Sequence, residues 1–416
     1  MIIDSLNYNG DCSCGRKHFM QTEFCIISNG CLKELNKYLT KYELNDKYTV
    51  AVYDKNTYEA TADRHPKVDE EVVLDPTDLH ANEKGVEYLN SYLSNKVELL
   101  IAVGAGTIHD ITRYCAYVNN IDFVSCPTAS SVDGFCSSVA AMTWNGCKKT
   151  LTAVAPKIVV ADIDIIKNAP IYLAKSGFGD MIGKYVALTD WKIGNILLGE
   201  FYCDKIFQMT MKATEEVLGS IQGIIDGNNE SYEKLTYGLM LSGLAMQLMG
   251  NSRPASGAEH HVSHLIEMSP YGLKISSNAL HGEKVGVGTL LAIEEYQRLA
   301  NLLNINFLNY TSFDKSLVFS VFGEEKSEEI LKENQCDCAK EVTATLLNSR
   351  WGEICREISK LPNVDYLKAL YEKHGIKSRL CDIGIDENQK NNLLNYSPMV
   401  RNRLTLMRLR KSLKEI

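Results

Sequence analysis

The segment that decides the fold is Val97-Glu-Leu-Leu-Ile-Ala-Val-Gly-Ala-Gly-Thr-Ile-His-Asp110. Its first seven residues are almost all apolar, which is typical of a strand buried on both faces of a parallel sheet. Gly104 and Gly106 then interrupt the strand, and apolar residues recur at helical spacing up to Val118. A glycine-containing turn between a buried strand and a helix predicts a βα unit whose backbone N–H groups can approach a phosphate.

Further strands are predicted on both sides of this unit. Short apolar runs over 48–53, 121–126 and 157–162 each stop at a polar residue or a proline, as buried parallel strands do. After residue 165 the apolar residues recur at helical spacing in these segments: 180–200, 204–226, 231–251, 257–268 and 281–302, with two more stretches starting at 324 and 364. The basic tail from Arg401 to Leu413 has apolar residues between its charges, which predicts a last helix.

Alternating strands and helices, followed by helices alone, predict an α/β protein with two domains. We expect an N-terminal Rossmann-like, parallel-sheet domain that binds a nucleotide over residues 1–165. We expect a C-terminal α-helical domain over residues 166–416, because facing helices can carry metal ligands and substrate contacts.

The bulk composition argues against several classes of protein. The 416 residues carry a formal net charge of −8, which gives no general attraction to nucleic acid or to an anionic membrane. No apolar run approaches the roughly 20 residues of a membrane-spanning helix, and the N-terminus lacks the pattern of a secretory signal. The 13 cysteines are odd in number and scattered, which favours reduced thiols. We therefore expect a cytoplasmic enzyme with neither a nucleic-acid nor a membrane partner.

Three loops at predicted strand ends can bind a cofactor. The turn Gly104–Asp110 lacks the third glycine of the dinucleotide fingerprint, and an ordinary βα turn would explain it equally well. The loop Pro127-Thr-Ala-Ser-Ser-Val-Asp-Gly134 offers hydroxyl donors at the carboxyl end of a neighbouring strand, where open α/β sheets bind ligands. Asp54 ends another strand and suits a ribose 2′-hydroxyl, which favours NAD over NADP, but it suits a helix N-cap equally.

The strongest chemical pattern is a cluster of histidines. His260 and His264 are four residues apart and share one helix face, whereas His261 is rotated towards solvent or another helix. His281 begins the next helical segment. Imidazoles with one carboxylate form a usual catalytic site for zinc or another transition metal. The carboxylate candidate is Asp180, which follows two glycines and is read alone as the N-cap of a helix.

Two cysteine pairs are weaker candidates for metal binding. Cys12 and Cys14 lie near His18, but three ligands close to the terminus lack a convincing fourth. Cys336 and Cys338 have no such neighbour either. We expect structural or solvent-facing thiols at both pairs, with a labile metal site at Cys12 left open.

The motifs together resemble the iron-containing alcohol dehydrogenase and dehydroquinate synthase-like superfamily. Within it, the chain is similar to the sn-glycerol-1-phosphate dehydrogenases, including the bacterial AraM-type enzymes. The specific stretch is Ser252-Arg-Pro-Ala-Ser-Gly-Ala-Glu-His-His-Val-Ser-His264, which plain glycerol dehydrogenases lack. Four shorter stretches also match: Gly104–Asp110, Pro127–Gly134, Gly177–Asp180 and Leu280–Glu283.

The resemblance implies a set of site residues. It implies contacts to the nicotinamide cofactor, NAD or NADP, from the following residues: Gly104, Ala105, Gly106, Thr107, Asp110, Thr128, Ser130, Ser131 and Ser137. It implies one divalent metal ion, zinc or nickel or else iron, on Asp180, His260 and His281, with Asp133 and His264 acting at the substrate. In the glycerol dehydrogenase branch the position of His264 holds the metal, so His264 remains the alternate ligand. Relatives often carry a third glycine where Ala105 stands, and an alanine there requires a negative φ.

The resemblance also implies an activity. It is the metal-dependent, NAD(P)H-linked and reversible reduction of dihydroxyacetone phosphate to sn-glycerol 1-phosphate, a step of phospholipid metabolism, in a homodimer or larger homo-oligomer. Arg253 or Lys184 is expected to hold the substrate phosphate, unless each is a surface ion-pair partner. The alternatives are a glycerol or other polyol dehydrogenase, a lyase of the dehydroquinate synthase type, and a catalytically silent binding protein on the same fold.

Overall fold

The computed structural model describes residues 1–144 and 147–415. Within these residues the strands are β1 (Ile2–Asp4), β2 (Gly10–Asp11), β3 (Lys17–His18), β4 (Phe24–Ser28), β5 (Thr49–Asp54), β6 (Glu70–Leu74), β7 (Leu99–Gly104), β8 (Asp122–Pro127), β9 (Val139–Trp144), β10 (Cys147–Thr152), β11 (Ile158–Asp162), β12 (Ile305–Phe307) and β13 (Leu413–Glu415). The helices are α1 (Leu35–Lys41), α2 (Lys55–Ala60), α3 (Glu83–Asn90), α4 (Gly106–Val118), α5 (Ile163–Ile166), α6 (Ile171–Leu198), α7 (Asp204–Leu218), α8 (Ile221–Ile225), α9 (Asn229–Met249), α10 (Ala258–Glu267), α11 (His281–Ala300), α12 (Lys315–Glu333), α13 (Ala344–Ile358), α14 (Val364–Lys373), α15 (Lys390–Tyr396) and α16 (Leu406–Leu409).

The parallel sheet expected in the N-terminal part is present. Among the described residues it has seven strands, in the order β1-β4-β11-β8-β7-β5-β6. β1 runs antiparallel to β4, and the other neighbouring strands are parallel. The four strands that the sequence predicts are β5, β7, β8 and β11, and they are neighbours at the centre of the sheet. The α/β fold is therefore confirmed.

Both faces of the sheet are covered, which explains the unbroken apolar character of β7. Successive side chains of a strand point to opposite faces. Leu100 and Ala102 pack in one core with Ile108 and Ile111 of α4. Leu99, Ile101 and Val103 pack in a second core, together with three leucines of the segment that leads into and forms α1: Leu32, Leu35 and Leu39. Each such buried aliphatic side chain contributes about 1.5–3 kcal/mol relative to an exposed one.

The chain after residue 165 is mainly helical, as expected, but its tail is not a helix. Residues 406–409 form one helical turn, and Leu413–Glu415 then pairs as β13 with β12. The predicted last helix is wrong because a long-range strand pairing ends it. Arg408 is also buried rather than part of a solvated face, and its guanidinium donates to the carbonyls of Pro398 and Arg401 and to Asp337.

The chain divides into two compact units that are not contiguous in sequence. The first unit comprises residues 1–181 and 215–251, and the second comprises 182–214 and 252–416. Helix α6 therefore contributes its first part to one unit and its second part to the other. The expected division into a nucleotide-binding domain over 1–165 and a metal- and substrate-binding domain over 166–416 stays a prediction.

Two further observations concern membrane-spanning helices and disulfide bonds. Of the helices in the described ranges, none is long and apolar enough to cross a membrane. None of the cysteines whose side chains the structure describes is in a disulfide bond.

Candidate active site

The glycine turn of the first unit begins helix α4 with an uncapped N-terminus. Ala105 is the N-cap residue, with φ −90° and ψ −169°, and no side chain bonds to the first turn of the helix. The backbone at this position therefore accepts an alanine, as expected. Because no side chain caps the first turn, its N–H groups can donate to an anion.

The two glycines of this turn differ in what surrounds them. A Cβ added at Gly104 would lie 2.6 Å from the Cβ of Ile108, so this glycine is needed for close packing of strand and helix. A Cβ added at Gly106 would have Val132 as its nearest neighbour, at 3.8 Å. Packing does not require a glycine at 106, so the small residue leaves room at the helix N-terminus.

His109 stabilises the turn from inside. Its Nδ1 lies 3.0 Å from the carbonyl oxygen of Ala105, and its Nε2 lies 2.8 Å from the hydroxyl of Ser125. Burial, together with the nearby charge of Arg113, lowers the pKa of His109 to about 3. The imidazole is therefore neutral and positions the turn, while Thr107 is exposed and Asp110 is half-buried.

The hydroxyl-rich loop lies against this turn. The N–H of Thr128 donates to the carbonyl of Gly104 over 3.0 Å, so the structure brings the two predicted cofactor loops together. Ser130 shares a hydrogen bond of 2.6 Å with Thr236 of α9, and the carbonyl of Ser131 accepts from Ser176. The hydroxyl of Ser130 thus anchors the loop to a helix of its own unit.

Asp133 lies at the end of the loop, on a buried 3-10 turn from Asp133 to Cys136. Its N–H donates to Oδ2 of Asp180 over 3.0 Å, and its own Oδ2 accepts from the hydroxyl of Ser242 over 2.9 Å. Ser137 follows this turn and accepts from the N–H of Val139. The carboxylate of Asp133 is therefore held in a fixed position.

Arg113 is a positioning residue that the sequence did not reveal. It is fully buried, and its guanidinium donates to the carbonyls of Gly134, Phe135 and Val139. It therefore fixes the turn that carries Asp133. No local signal marks it, because its partners lie 21 to 26 residues away in the chain.

Asp54 is the N-cap of α2, which is the alternative to ribose binding that the sequence left open. Its Oδ1 accepts from the N–H of Thr57, and the hydroxyl of Thr57 accepts from the N–H of Asp54, which makes a capping box at the start of α2. A contact of Asp54 with a ribose stays a prediction.

The second unit brings three histidines together on α10 and α11. The ring centroids of His260 and His281 lie 5.3 Å apart, and that of His264 lies 6.0 Å from the first and 6.1 Å from the second. A ring nitrogen of His260 and one of His281 lie within 4.8 Å of each other. The two helices approach closely here, since a Cβ added at Gly288 would lie 2.6 Å from the carbonyl oxygen of Glu259.

Each of two histidines is oriented by a glutamate, of which Glu259 is buried and Glu267 is half-buried. Nδ1 of His260 lies 2.7 Å from Oε1 of Glu259, and Nδ1 of His281 lies 3.0 Å from Oε1 of Glu267. Burial raises the pKa of Glu267, but contact with His281 and Lys284 outweighs it and holds the pKa well below the usual range. A carboxylate on Nδ1 leaves Nε2 as the donor atom for a metal, which is the usual arrangement of metal-binding histidines.

The surroundings of His264 and His261 differ from those of the other two histidines. His264 is half-buried, and burial lowers its pKa well below the usual value, so its ring is neutral. His261 is fully buried, so the expectation that it faces solvent is wrong. Neither ring nitrogen of His261 has a hydrogen-bond partner within the described chain.

Asp180 lies inside a helix rather than at its start. Helix α6 begins at Ile171, so reading Asp180 as an N-cap is wrong. The preceding glycine allows close packing, since a Cβ at Gly177 would lie 2.1 Å from the carbonyl oxygen of Ser130. Asp180 is fully buried.

The two expected phosphate ligands are buried in protein contacts. Arg253 donates to the carbonyls of Asp190 and Leu404 and to Glu200. Nζ of Lys184 donates to the carbonyl of Ala255 over 3.1 Å. Neither is a surface ion-pair partner. The hydrogen bonds of Arg253 tie the loop after α9 to its own unit.

Comparison with known proteins identifies the family. The model for the iron-containing alcohol dehydrogenase family matches residues 26–170. The chain is 38% identical over 296 residues to a glycerol-1-phosphate dehydrogenase (NAD(P)+) of Geobacillus thermodenitrificans, covering 68% of this chain and 72% of that protein. It is 38% identical over 301 residues to the enzyme of the same name from Bacillus licheniformis, covering 70% and 74%. This chain belongs to the glycerol-1-phosphate dehydrogenase family.

Solved structures agree with the fold of this dehydrogenase family member. A probable glycerol dehydrogenase from Sinorhizobium meliloti has a TM-score of 0.61 at 16% identity, covering 93% of this chain and 94% of that one. A sulfoacetaldehyde reductase from Bifidobacterium kashiwanohense, solved in complex with NAD+, has a TM-score of 0.61 at 13% identity, covering 95% and 96%. These likenesses show the fold alone. Membership of the glycerol-1-phosphate dehydrogenase family makes the chain an NAD(P)-linked oxidoreductase, which confirms the expected enzyme class.

Proposed function

We propose that this enzyme reduces dihydroxyacetone phosphate to sn-glycerol 1-phosphate, reversibly, with NADH or NADPH and one divalent metal ion. Reduction consumes one proton and one hydride and yields NAD+ or NADP+. The observation that carries the proposal is the pair His260 and His281, each with a glutamate on Nδ1, in a chain whose relatives bear this activity in their names.

The proposed metal ligands are Nε2 of His260, Nε2 of His281 and the carboxylate of Asp180. A carboxylate and two neutral imidazoles fit zinc, nickel or iron and leave a coordination position for a substrate. Asp180 is fully buried inside α6. Its assignment as a ligand rests on the resemblance of Gly177–Asp180 to the family's motif.

The proposed cofactor site is the uncapped N-terminus of α4 and the loop after β8. The first-turn N–H groups and the space beside Gly106 suit a pyrophosphate. When bound, the metal ion supplies Lewis-acid polarisation of a carbonyl, and the nicotinamide supplies the hydride.

The remaining roles belong to side chains of the protein. We assign to His264 and Asp133 contacts with the substrate hydroxyl groups, because a neutral ring nitrogen and a fixed carboxylate both accept from O–H. The hydroxyl of Ser242 holds Asp133 in place from α9. His264 remains the alternate metal ligand, since its ring is within about 6 Å of the other two.

The test is oxidation of NADH and of NADPH by metal-reconstituted enzyme with dihydroxyacetone phosphate, with dihydroxyacetone, and with neither. Parallel samples are reconstituted with zinc, nickel and iron, and their molecular mass in solution tests the expected homodimer. We expect rapid oxidation with the phosphorylated substrate alone. Oxidation with unphosphorylated dihydroxyacetone at the same rate would overturn the proposed substrate and indicate a polyol dehydrogenase.

A further inference from the structure

The N-terminal segment folds into a tight hairpin that gathers metal-binding side chains. β2 and β3 pair through Gly10 opposite His18 and Asp11 opposite Lys17. Inside the hairpin, the N–H of Cys12 donates to the carbonyl of Arg16 over 3.0 Å, and the N–H of Gly15 donates to the carbonyl of Cys12 over 2.9 Å. Gly15 has φ +86°, which a glycine adopts without strain. The turn therefore places two thiols and an imidazole at one end of the hairpin.

The donor atoms of this hairpin converge. One ligand atom from each of Cys12, Cys14 and His18 lies within 4.8 Å of the other two. Sγ of Cys14 lies 3.2 Å from Nε2 of His18, and Nδ1 of His18 lies 2.8 Å from the carbonyl oxygen of Leu248. A carbonyl on Nδ1 fixes the proton there and leaves the lone pair of Nε2 facing the thiol. That is how metal-binding histidines are usually held.

The segment that follows the hairpin is anchored to α9 by hydrogen bonds. Oε1 of Gln247 accepts from the N–H of Gln21 over 2.8 Å, and its Nε2 donates to the hydroxyl of Thr22 over 2.9 Å. His18 is 5% exposed, so its ring is oriented inside the unit rather than in solvent. The donor atoms are thus arranged before a metal binds.

We propose that Cys12, Cys14 and His18 bind a zinc ion that is distinct from the catalytic metal. All three side chains belong to the same unit, and their donor atoms converge at one end of the hairpin. Thiolates and imidazoles are the usual ligands of structural zinc. On binding, each thiol releases its proton to water, and no electron is transferred.

The two sites differ in donor chemistry, and cobalt substitution distinguishes them. Thiolate-to-cobalt charge-transfer absorption requires sulfur ligands, which the Asp180, His260 and His281 set lacks. We expect this absorption in the full-length protein after zinc is replaced by cobalt, and we expect it to persist in His281→Ala. Its absence from a folded wild-type protein would overturn the proposal, whatever the enzyme activity shows.

Metal content per chain tests the ligands one by one. Reconstituted wild-type protein is expected to retain two metal ions per chain, and Cys12→Ser and Cys14→Ser are each expected to retain one. The matched control is Cys336→Ser, which changes an exposed cysteine outside the group. Unchanged metal content in Cys14→Ser would rule out the site, and unchanged charge-transfer intensity in Cys12→Ser would rule out Cys12 as a ligand. If a variant does not fold, the cobalt spectrum of the wild-type protein still decides.

Discussion

Nδ1 of His281 lies 3.0 Å from Oε1 of Glu267, and Nζ of Lys284 lies 3.0 Å from the same oxygen. The carboxylate of Glu267 therefore contacts both His281, a proposed metal ligand, and Lys284. His281, and to a lesser extent Lys284, hold the pKa of Glu267 well below its usual range, so the carboxylate is ionised. A carboxylate on Nδ1 of His281 leaves Nε2 for the metal.

Replacement of Glu267 by glutamine is expected to weaken metal binding by about 10–100-fold, because the neutral amide orients His281 less strongly. Titration of activity against added metal measures the change. Glu267 touches His281 and not the substrate, so saturating metal is expected to restore kcat.

The control for Glu267→Gln is Glu325→Gln, which changes an exposed glutamate of α12. It should titrate as the wild-type protein does. A kcat that stays low at saturating metal would show that Glu267 acts in the chemistry rather than through His281.

Alanine at His281 or at His264 distinguishes a metal ligand from a substrate contact. We expect His281→Ala to lose both metal and activity, because a ligand is removed. We expect His264→Ala to keep its metal and lose activity. Metal analysis after gel filtration, beside the exposed-residue control His80→Ala, measures both. Loss of metal from His264→Ala with retention in His260→Ala would reverse the assignment of the two.

Alanine substitutions at Gly106 and at Gly104 are expected to have different effects. A Cβ at Gly106 would make an ordinary contact with Val132 at 3.8 Å, so Gly106→Ala should keep the melting temperature and raise the KM for NADH by about tenfold, equivalent to about 1.4 kcal/mol. Gly104→Ala places a Cβ 2.6 Å from that of Ile108 and should lower the melting temperature instead. Thermal unfolding with cofactor kinetics on both variants tests this. An unchanged KM in Gly106→Ala would remove the turn from the cofactor site.

His109 makes stability depend on pH in a defined direction. Its pKa is lowered to about 3 in the folded protein, whereas an unfolded histidine titrates near about 6.5. Below about pH 6.5 the unfolded chain binds a proton that the folded chain does not. The contribution is therefore complete above that pH and is lost as the pH falls, by up to about 1.4 kcal/mol per unit.

The corresponding measurement is the melting temperature between about pH 6.5 and pH 4.5. We expect His109→Gln to show a shallower decline over this interval than the wild-type protein, since glutamine does not titrate. The exposed His80→Gln should decline as the wild-type protein does. Equal slopes in wild type and His109→Gln would contradict burial of a neutral imidazole.

Much of the fold was predictable because its signals are local. The strand before Gly104, the glycine turn and the helix after it each follow from neighbouring residues, as do the three other central strands. The tail was not predictable, because its last residues pair with β12, more than a hundred positions earlier in the chain. The spacing of apolar residues within the tail carries no information about that distant strand.

Some residues of the candidate site were likewise predictable from the sequence, and others were not. Spacing along the chain identifies His260 and His264 as members of one helix face, and motif resemblance selects Asp180 and His281. Neither the spacing nor the resemblance reveals Arg113, whose guanidinium fixes the turn that carries Asp133. Neither reveals Ser242, which holds the carboxylate of Asp133. These residues act through hydrogen bonds to distant backbone and side-chain atoms.

The sequence by itself determined the α/β class, the glycine turn and the histidine pattern, because each depends on residues within one helical turn or one strand. Tertiary structure decided that Glu259 and Glu267 orient the two histidines that are proposed to bind the metal. It also decided that Arg253 and Lys184 are buried in protein contacts, and that the N-terminal thiols converge on His18. The physical reason is that an imidazole becomes a directed ligand, and a thiol part of a cluster, only when the folded chain brings its partner within hydrogen-bonding distance.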